Sequence, residues 1–405
     1  MDLEQLFFEL IRIAIGKQQK FTSLPNAEQW RELYQLSVQH TLAGVTFSAI
    51  ECLAEEQRPP KDVLLQWYMV KEHIVKANRL LNRRAVETMS YFQKNGFDCC
   101  ILKGQGIATL YPNPLLRTSG DIDVWLSGGR DRIYDFACDR IGVKDIVYKH
   151  IHYPLFDDVE VEVHPAPGVL CAPIEDYKLQ SFFDVCAKEQ FGHKIELPEG
   201  AGCIKAPTDE FNRLYLLLHI YCHLFYEGIG LRQVLDYYYV LRRPATMDSK
   251  ARTVDMFRNL KMLRFARAMM WVQREVFGLE EEYLLVEPDE KEGCFLLSEI
   301  MQAGNFGKYD VRFGHRKHKK LIHHVWSTMK RNWKFLVRYP HEVVWDIPFR
   351  TWNFFWRRWK VWEFRRRLLG TEKASANRRM PEKPPSVIRH QKSREKREII
   401  DSTEF

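Results

Sequence analysis

The segment Gly120-Asp121-Ile122-Asp123-Val124-Trp125-Leu126 narrows what this chain can fold into more than any other. Its β-branched and aromatic residues form a strand, and alternate side chains of a strand leave on one face, so Asp121 and Asp123 project side by side. Carboxylates are depleted in strands and repel one another when desolvated, so the pair needs cations beside it. Either the strand end holds a divalent ion, or the aspartates stand on a solvated face with Asp121 completing the turn after Gly120.

Two neighbouring segments add to this pair. In Val159-Glu160-Val161-Glu162-Val163-His164 the alternation puts Glu160, Glu162 and His164 on one face and the valines on the other. Beside the first strand, Glu162 completes a three-carboxylate cage for two divalent ions about 3.5–4 Å apart; alone, the segment is an amphipathic edge strand. Upstream, Lys103-Gly104-Gln105-Gly106 stands between a strand, Phe97–Leu102, and a short helix, Gln105–Tyr111. Free N–H groups at such a turn bind anions and Lys103 adds a point charge, while the plainer reading is an ordinary strand-to-helix turn.

The rest of the chain divides by period. Residues 1–95 are helical, with apolar residues at helical spacing in Leu3 to Ala14, Trp30 to Val38 and Val63 to Phe92, the last ended by Lys94-Asn95-Gly96. Residues 96–206 carry the strands and an intervening helix, capped by Ser127 and stopped by Gly142. Strands about Ile146 to Phe156 and Val159 to His164 join at Asp157-Asp158 as a hairpin. Residues 207–370 are helical: Thr208 caps a helix through Leu224, Gly228-Ile229-Gly230 breaks it from Leu231 to Leu241, and further helical patterns run over Met256 to Phe277 and Phe295 to Met301. The basic run Arg312 to Lys320 precedes Trp-rich helices, including Phe349 to Leu368, whose rings and arginines form a core or interface, or contact an anionic partner. From Thr371 the composition turns polar and charged, which predicts a disordered tail over 371–405. The fold class is α+β: a small mixed sheet flanked by N- and C-terminal helical domains.

Composition sets outer limits. With 45% hydrophobic and 13% aromatic residues, global disorder is excluded. The longest apolar run, Leu214 to Phe225, is interrupted by His219 and His223 and is too short to span a bilayer. The acidic start and nine cysteines without a CxxC pair predict a cytoplasmic protein with reduced thiols and no stable membrane insertion. His219 and His223, one helical turn apart, match zinc spacing, but no third ligand accompanies them, which favours hydrogen-bonded core histidines. Arg232 and Asp236 form an i,i+4 pair.

The order strand, Lys103-Gly104 turn, helix, Tyr111-Pro112, Arg117, Gly120-Asp121-Ile122-Asp123 strand and Glu162-Val163-His164 strand resembles the nucleotidyltransferase superfamily of the DNA polymerase β type. It is similar in particular to a bacterial branch described as uncharacterised nucleotidyltransferases, whose second signature resembles His219 to Tyr238, so the likeness runs from about Phe97 to Leu241. The resemblance implies a palm-like sheet core and transfer of a nucleoside monophosphate from an NTP to an acceptor hydroxyl, with release of pyrophosphate. It implies that Asp121 and Asp123 hold two Mg2+ ions, with Mn2+ able to substitute, and that Glu162 holds the one activating the acceptor. Lys103 and Gly104 would bind the triphosphate with Arg117 as helper, and Arg232 would face the cleft. The acceptor is open: a small molecule, a sugar, a nucleic acid end or a protein side chain. The chain departs from the superfamily in having Lys103-Gly104 where Gly-Ser is usual and Glu162 where Asp is commoner. Two alternatives are a glycosyltransferase that uses a nucleotide sugar through its DxD, and a non-catalytic nucleotide- or nucleic-acid-binding protein of the same fold.

Overall fold

The computed structural model describes residues 2–142, 147–226, 228–307 and 333–375. The basic run at 312–320, Trp326, Ile146 and the tail beyond 375 lie outside the described residues. The chain divides into two compact units, Met1–Arg358 and Trp359–Phe405. No helix among the described residues is long and apolar enough to cross a membrane.

Four helices open the chain: α1 (Leu3–Ala14), α2 (Ala27–Gln39), α3 (Ala43–Cys52) and α4 (Lys61–Lys94). Asn26 caps α2 in a reciprocal capping box with Gln29. The sequence does not predict α3, because it is buried on nearly every side, Ala43 through Phe47 included, and shows no amphipathic stripe. Gly44 of α3 lies against the chain ahead of the DxD strand: a Cβ there would sit 2.3 Å from the Leu116 carbonyl oxygen. Gly44→Ala therefore forces backbone apart, and we expect a loss of about 1–3 kcal/mol, read as a lowered urea midpoint.

Helix α4 is about 51 Å long and its buried face is not wholly apolar. Asn78 and Asn82 lie within it, 1% and 2% exposed. The Asn78 amide donates to the carbonyls of Leu115 (2.7 Å) and Arg117 (2.8 Å), and Gln105 donates to Asn82. Buried amides need such partners, so one helix fixes both the turn after the first strand and the loop before the second.

The main sheet contains β1 (Cys99–Leu102), β2 (Ile122–Leu126), β3 (Ile151–His152) and β4 (Val161–His164) in the order β1-β2-β4-β3. β1 and β2 are antiparallel, β2 and β4 parallel, and β4 and β3 antiparallel. The sheet is therefore mixed, and with the surrounding helices the fold is α+β. The helix α5 (Gly104–Ala108) follows β1, and α6 (Arg130–Ile141) follows β2. Gly129 rather than Ser127 precedes α6, because Ser127 is already spent: its hydroxyl accepts from the Asp98 N–H at 2.9 Å and its own N–H donates to the Asp98 carbonyl at 2.8 Å. Where the sequence predicts a long strand to Phe156, β3 has two residues. The connection leaves the sheet at Asp158, which pairs with Arg84 of α4 (2.9 Å), and at Phe156, beneath the Arg84 guanidinium.

Beyond β4 lie α7 (Pro173–Gln190) and a hairpin of β5 (Lys194–Glu196) and β6 (Cys203–Lys205). Neither is predicted, since α7 leaves Ile174, Tyr177 and Val185 exposed and buries Glu175 and Gln190, which blurs its period. Then come α8 (Asp209–Tyr226), α9 (Leu231–Leu241), α10 (Met247–Asn259), α11 (Leu263–Phe277), α12 (Glu290–Ala303) and α13 (Pro340–Ser375). The predicted pattern over Met256 to Phe277 is two helices, broken where Lys261 takes φ +58. Residues 371–375, predicted as tail, belong to α13.

Candidate active site

Parallel pairing of β2 with β4 sets Asp123 opposite Glu162 and Trp125 opposite His164. Side chains in register on neighbouring strands share a face at a spacing of about 4.8 Å, so residues forty positions apart in sequence meet. His164 donates from Nε2 to Asp123 Oδ1 at 2.7 Å and stands 3.6 Å from Glu162 Oε2. Lys103 approaches Asp123 from the other side, with Nζ 2.9 Å from Oδ2. Its backbone has φ +50, a conformation costing an L residue about 1–3 kcal/mol, and Gly104 follows at φ +36.

The charges are unequally met. Burial raises the Asp123 pKa, but Lys103 and His164 outweigh it and hold this carboxyl well below its usual range. The Asp121 carboxyl is pushed up to about 6, first by the like charge of Asp123 and then by burial, with Lys103 offsetting part. Burial also raises Glu162, yet the imidazoles of His164 and His150 close by leave it lowered. His164 is raised despite burial, through its bonds to Asp123 and Glu162. The site therefore carries a surplus of negative charge concentrated on Asp121.

These groups open onto a cavity of about 790 Å³. Every candidate named from the sequence, Lys103, Gly104, Arg117, Asp121, Asp123, Glu162 and Arg232, lines it. Their environments differ. Arg117 is 1% exposed, with Nε and Nη2 on the two oxygens of Asp236 (2.7 and 2.8 Å) and Nη1 on Ser119 Oγ (2.6 Å). Asp236 also accepts from Tyr111 (2.7 Å) and from Arg232 Nη1 (3.3 Å). Arg117 thus locks α9 to the loop before β2, while Arg232 sits between Asp236 and the cavity.

Other lining residues come from segments not named as site elements. Tyr148, Lys149 and His150 precede β3, His219 and His223 come from α8, and Phe349, Arg350 and Asn353 come from α13. Burial, with Lys103 and His223 adding to it, keeps His219 neutral. The Tyr148 ring packs edge-on against Trp352 and Trp356, with centroids at 4.6 and 5.2 Å. The alternation His150-Ile151-His152 is the one signal in the sequence that points to this wall. Glu160 is exposed and lies off the cavity; its carbonyl accepts from the Ile122 N–H at 3.0 Å.

The donor set suits a divalent cation. Asp123, Glu162 and His164 each offer one ligand atom within 4.8 Å of the others. Lys103 and His164 meet the charge of Asp123, whereas no described cation pairs directly with Asp121, whose raised pKa reports an unmet charge.

Comparison with curated proteins and with solved structures finds no match. The family model described as uncharacterised nucleotidyltransferase matches residues 26–278, from the cap of α2 through α11, and so takes in the sheet, the cavity carboxylates and Arg232. With most of its length covered by that match, this chain belongs to the uncharacterised nucleotidyltransferase family.

Proposed function

We propose that this protein transfers a nucleoside monophosphate from an NTP to an acceptor hydroxyl in a magnesium-dependent reaction, on a core arranged like the palm of polymerase β. The observation that carries the reading is Asp123 and Glu162 paired on adjacent parallel strands, with Asp121 directly ahead of the first strand, all lining one cavity. Asp121 and Asp123 would hold two divalent ions and Glu162 the one on the acceptor side. Such ions polarise the acceptor hydroxyl and neutralise charge on the transferring and leaving phosphate oxygens. Lys103 and Arg232 supply fixed positive charge at the cavity for the β- and γ-phosphates, with Gly104 allowing close backbone approach. Arg117 acts through Asp236, holding Arg232 in place. The acceptor hydroxyl gives up its proton to solvent, its oxygen bonds to the α-phosphorus as the bond to the bridging oxygen breaks, and pyrophosphate departs with the electron pair.

The test is a screen of all four α-labelled NTPs, with Mg2+ and a cell extract as acceptor source, using Asp123→Asn as blank. Labelled product and pyrophosphate are expected from the wild-type chain, and a fall of at least about 10³-fold in the variant, equivalent to about 4 kcal/mol. Release of a nucleoside diphosphate would instead indicate glycosyl transfer. Mg-NTP binding without turnover would indicate a non-catalytic member of the fold.

A further inference from the structure

The edge of the sheet holds two histidines, His150 and His152, that the proposed reaction leaves unused, beside Glu162. His152 and Glu162 are register partners on antiparallel β3 and β4, and His150 lies two residues before His152, on the same side of the chain. The Nε2 atoms of the two histidines are 3.2 Å apart. Glu162 Oε1 is 3.4 Å from His152 Nδ1 and 3.7 Å from His150 Nε2. One ligand atom from each of the three residues lies within 4.8 Å of the other two.

One ion takes a single nitrogen of His152, and the three ligand atoms that qualify all lie within 4.8 Å of one another, close enough for small side-chain rotations to bring them onto one metal. At a metal–nitrogen distance of about 2.05 Å, tetrahedral ligands stand about 3.3 Å from one another. Without a metal the two histidines hydrogen-bond each other, while both contacts to Glu162 are long for N–H···O bonds, whose mode is about 2.9 Å. Glu162 also divides its two oxygens: Oε1 faces His150 and His152, and Oε2 faces His164, at 3.6 Å, on the Asp123 side. A carboxylate placed in this way can serve a separate ion with each oxygen.

We infer that His150, His152 and Glu162 form a binding site for a divalent transition metal of the zinc type, beside the oxygen-rich site and joined to it by Glu162. Two imidazoles and one carboxylate select Zn2+, Co2+ or Fe2+ over Mg2+, because imidazole nitrogen is a poor ligand for the harder ion. The three protein ligands leave positions open toward the cavity that His150 and Glu162 line. A ligand held there, such as water or a hydroxyl of the acceptor, would be polarised by the metal. The bridging role of Glu162 rests on the proposed magnesium site, whereas the histidine site stands on its own three ligands.

The experiment uses the full, tag-free chain stripped with chelator and titrated with Co2+, followed by visible absorption and then by displacement with Zn2+. About one equivalent of Co2+ should bind with a ligand-field band of low coordination number, and Zn2+ should abolish the band. His150→Gln and His152→Gln should each weaken binding by at least about 100-fold, since even outer-shell partners cost 10–100-fold. A thermal melt checks that each variant folds, and Asp121→Asn should leave the band intact. No band with wild-type protein, or a band unchanged in the double histidine variant, overturns the site. Because no NTP is present, that outcome is separate from failure of nucleotidyl transfer, which the Asp123→Asn assay reads.

Discussion

Replacing Asp121 with asparagine should abolish nucleotidyl transfer and, in the same protein, raise the melting temperature of the metal-free chain at neutral pH. The two effects share one cause. The folded-state pKa of Asp121, about 6, lies above the ordinary value of 3.8, mainly because Asp123 is beside it. Between those values the native chain binds more protons than the unfolded chain, so stability falls as pH rises through this window. The stability present below pH 4 is lost by pH 7, and the charged carboxylate then costs on the order of 2–3 kcal/mol. Asparagine keeps the shape without the charge, and the expected gain is several degrees in a melt with chelator present. Mg2+ should raise the wild-type melting temperature and have little effect on the variant, because a ligand that binds only the native state stabilises by mass action. A variant that melts no higher than wild type in chelator, or that keeps full transfer activity, would sink this account of Asp121.

A second large effect should come from Asp236, away from the reacting atoms. Asp236→Ala leaves the guanidinium groups of Arg117 and Arg232 buried without their shared counter-ion and strips Tyr111 of its acceptor. Removing one partner of a buried ion pair typically costs about 3–5 kcal/mol, because the other charge remains desolvated. The loss should appear as a lower urea midpoint. Adding Arg117→Met to the Asp236→Ala background should recover part of it, since one stranded charge is then gone. The single variant should also raise KM for the NTP, because Arg232 loses the carboxylate that holds it at the cavity. A midpoint within about 1 kcal/mol of wild type would show that Asp236 is no strut.

The carboxylates at β2 that line the cavity stand out in the sequence because their pattern is local. Strand propensity and a two-residue period put Asp121 and Asp123 on one face, and the Lys103-Gly104 turn announces itself by its glycine. The family match, from residue 26 to 278, extends the resemblance seen over Phe97 to Leu241 in both directions. The pairing of β2 with β4 was not legible as a register, because it joins residues far apart through a parallel contact whose alignment depends on packing. The reach of Lys103 to Asp123 depends on a backbone conformation that sequence propensity disfavours. The commitment of Arg117 to Asp236 is likewise long-range, formed over 119 positions. Helices α3 and α7 escaped for opposite reasons: the first is buried almost throughout, and the second buries charge and exposes apolar side chains.

The cavity is built from two parts of the chain, one inside the family match and one beyond it. The carboxylates and Lys103 lie inside the segment shared with the family, whereas Phe349, Arg350 and Asn353 stand well beyond its end at residue 278. The constraint on each wall therefore differs. Asp123 and Glu162 are bound by sheet register, where a slip of one residue turns every side chain to the other face. The α13 wall meets the cavity through side chains on one helix, and a substitution there alters the shape of the cavity without disturbing the sheet. Exchanges confined to α13 can thus reshape the cavity while the carboxylates keep their geometry.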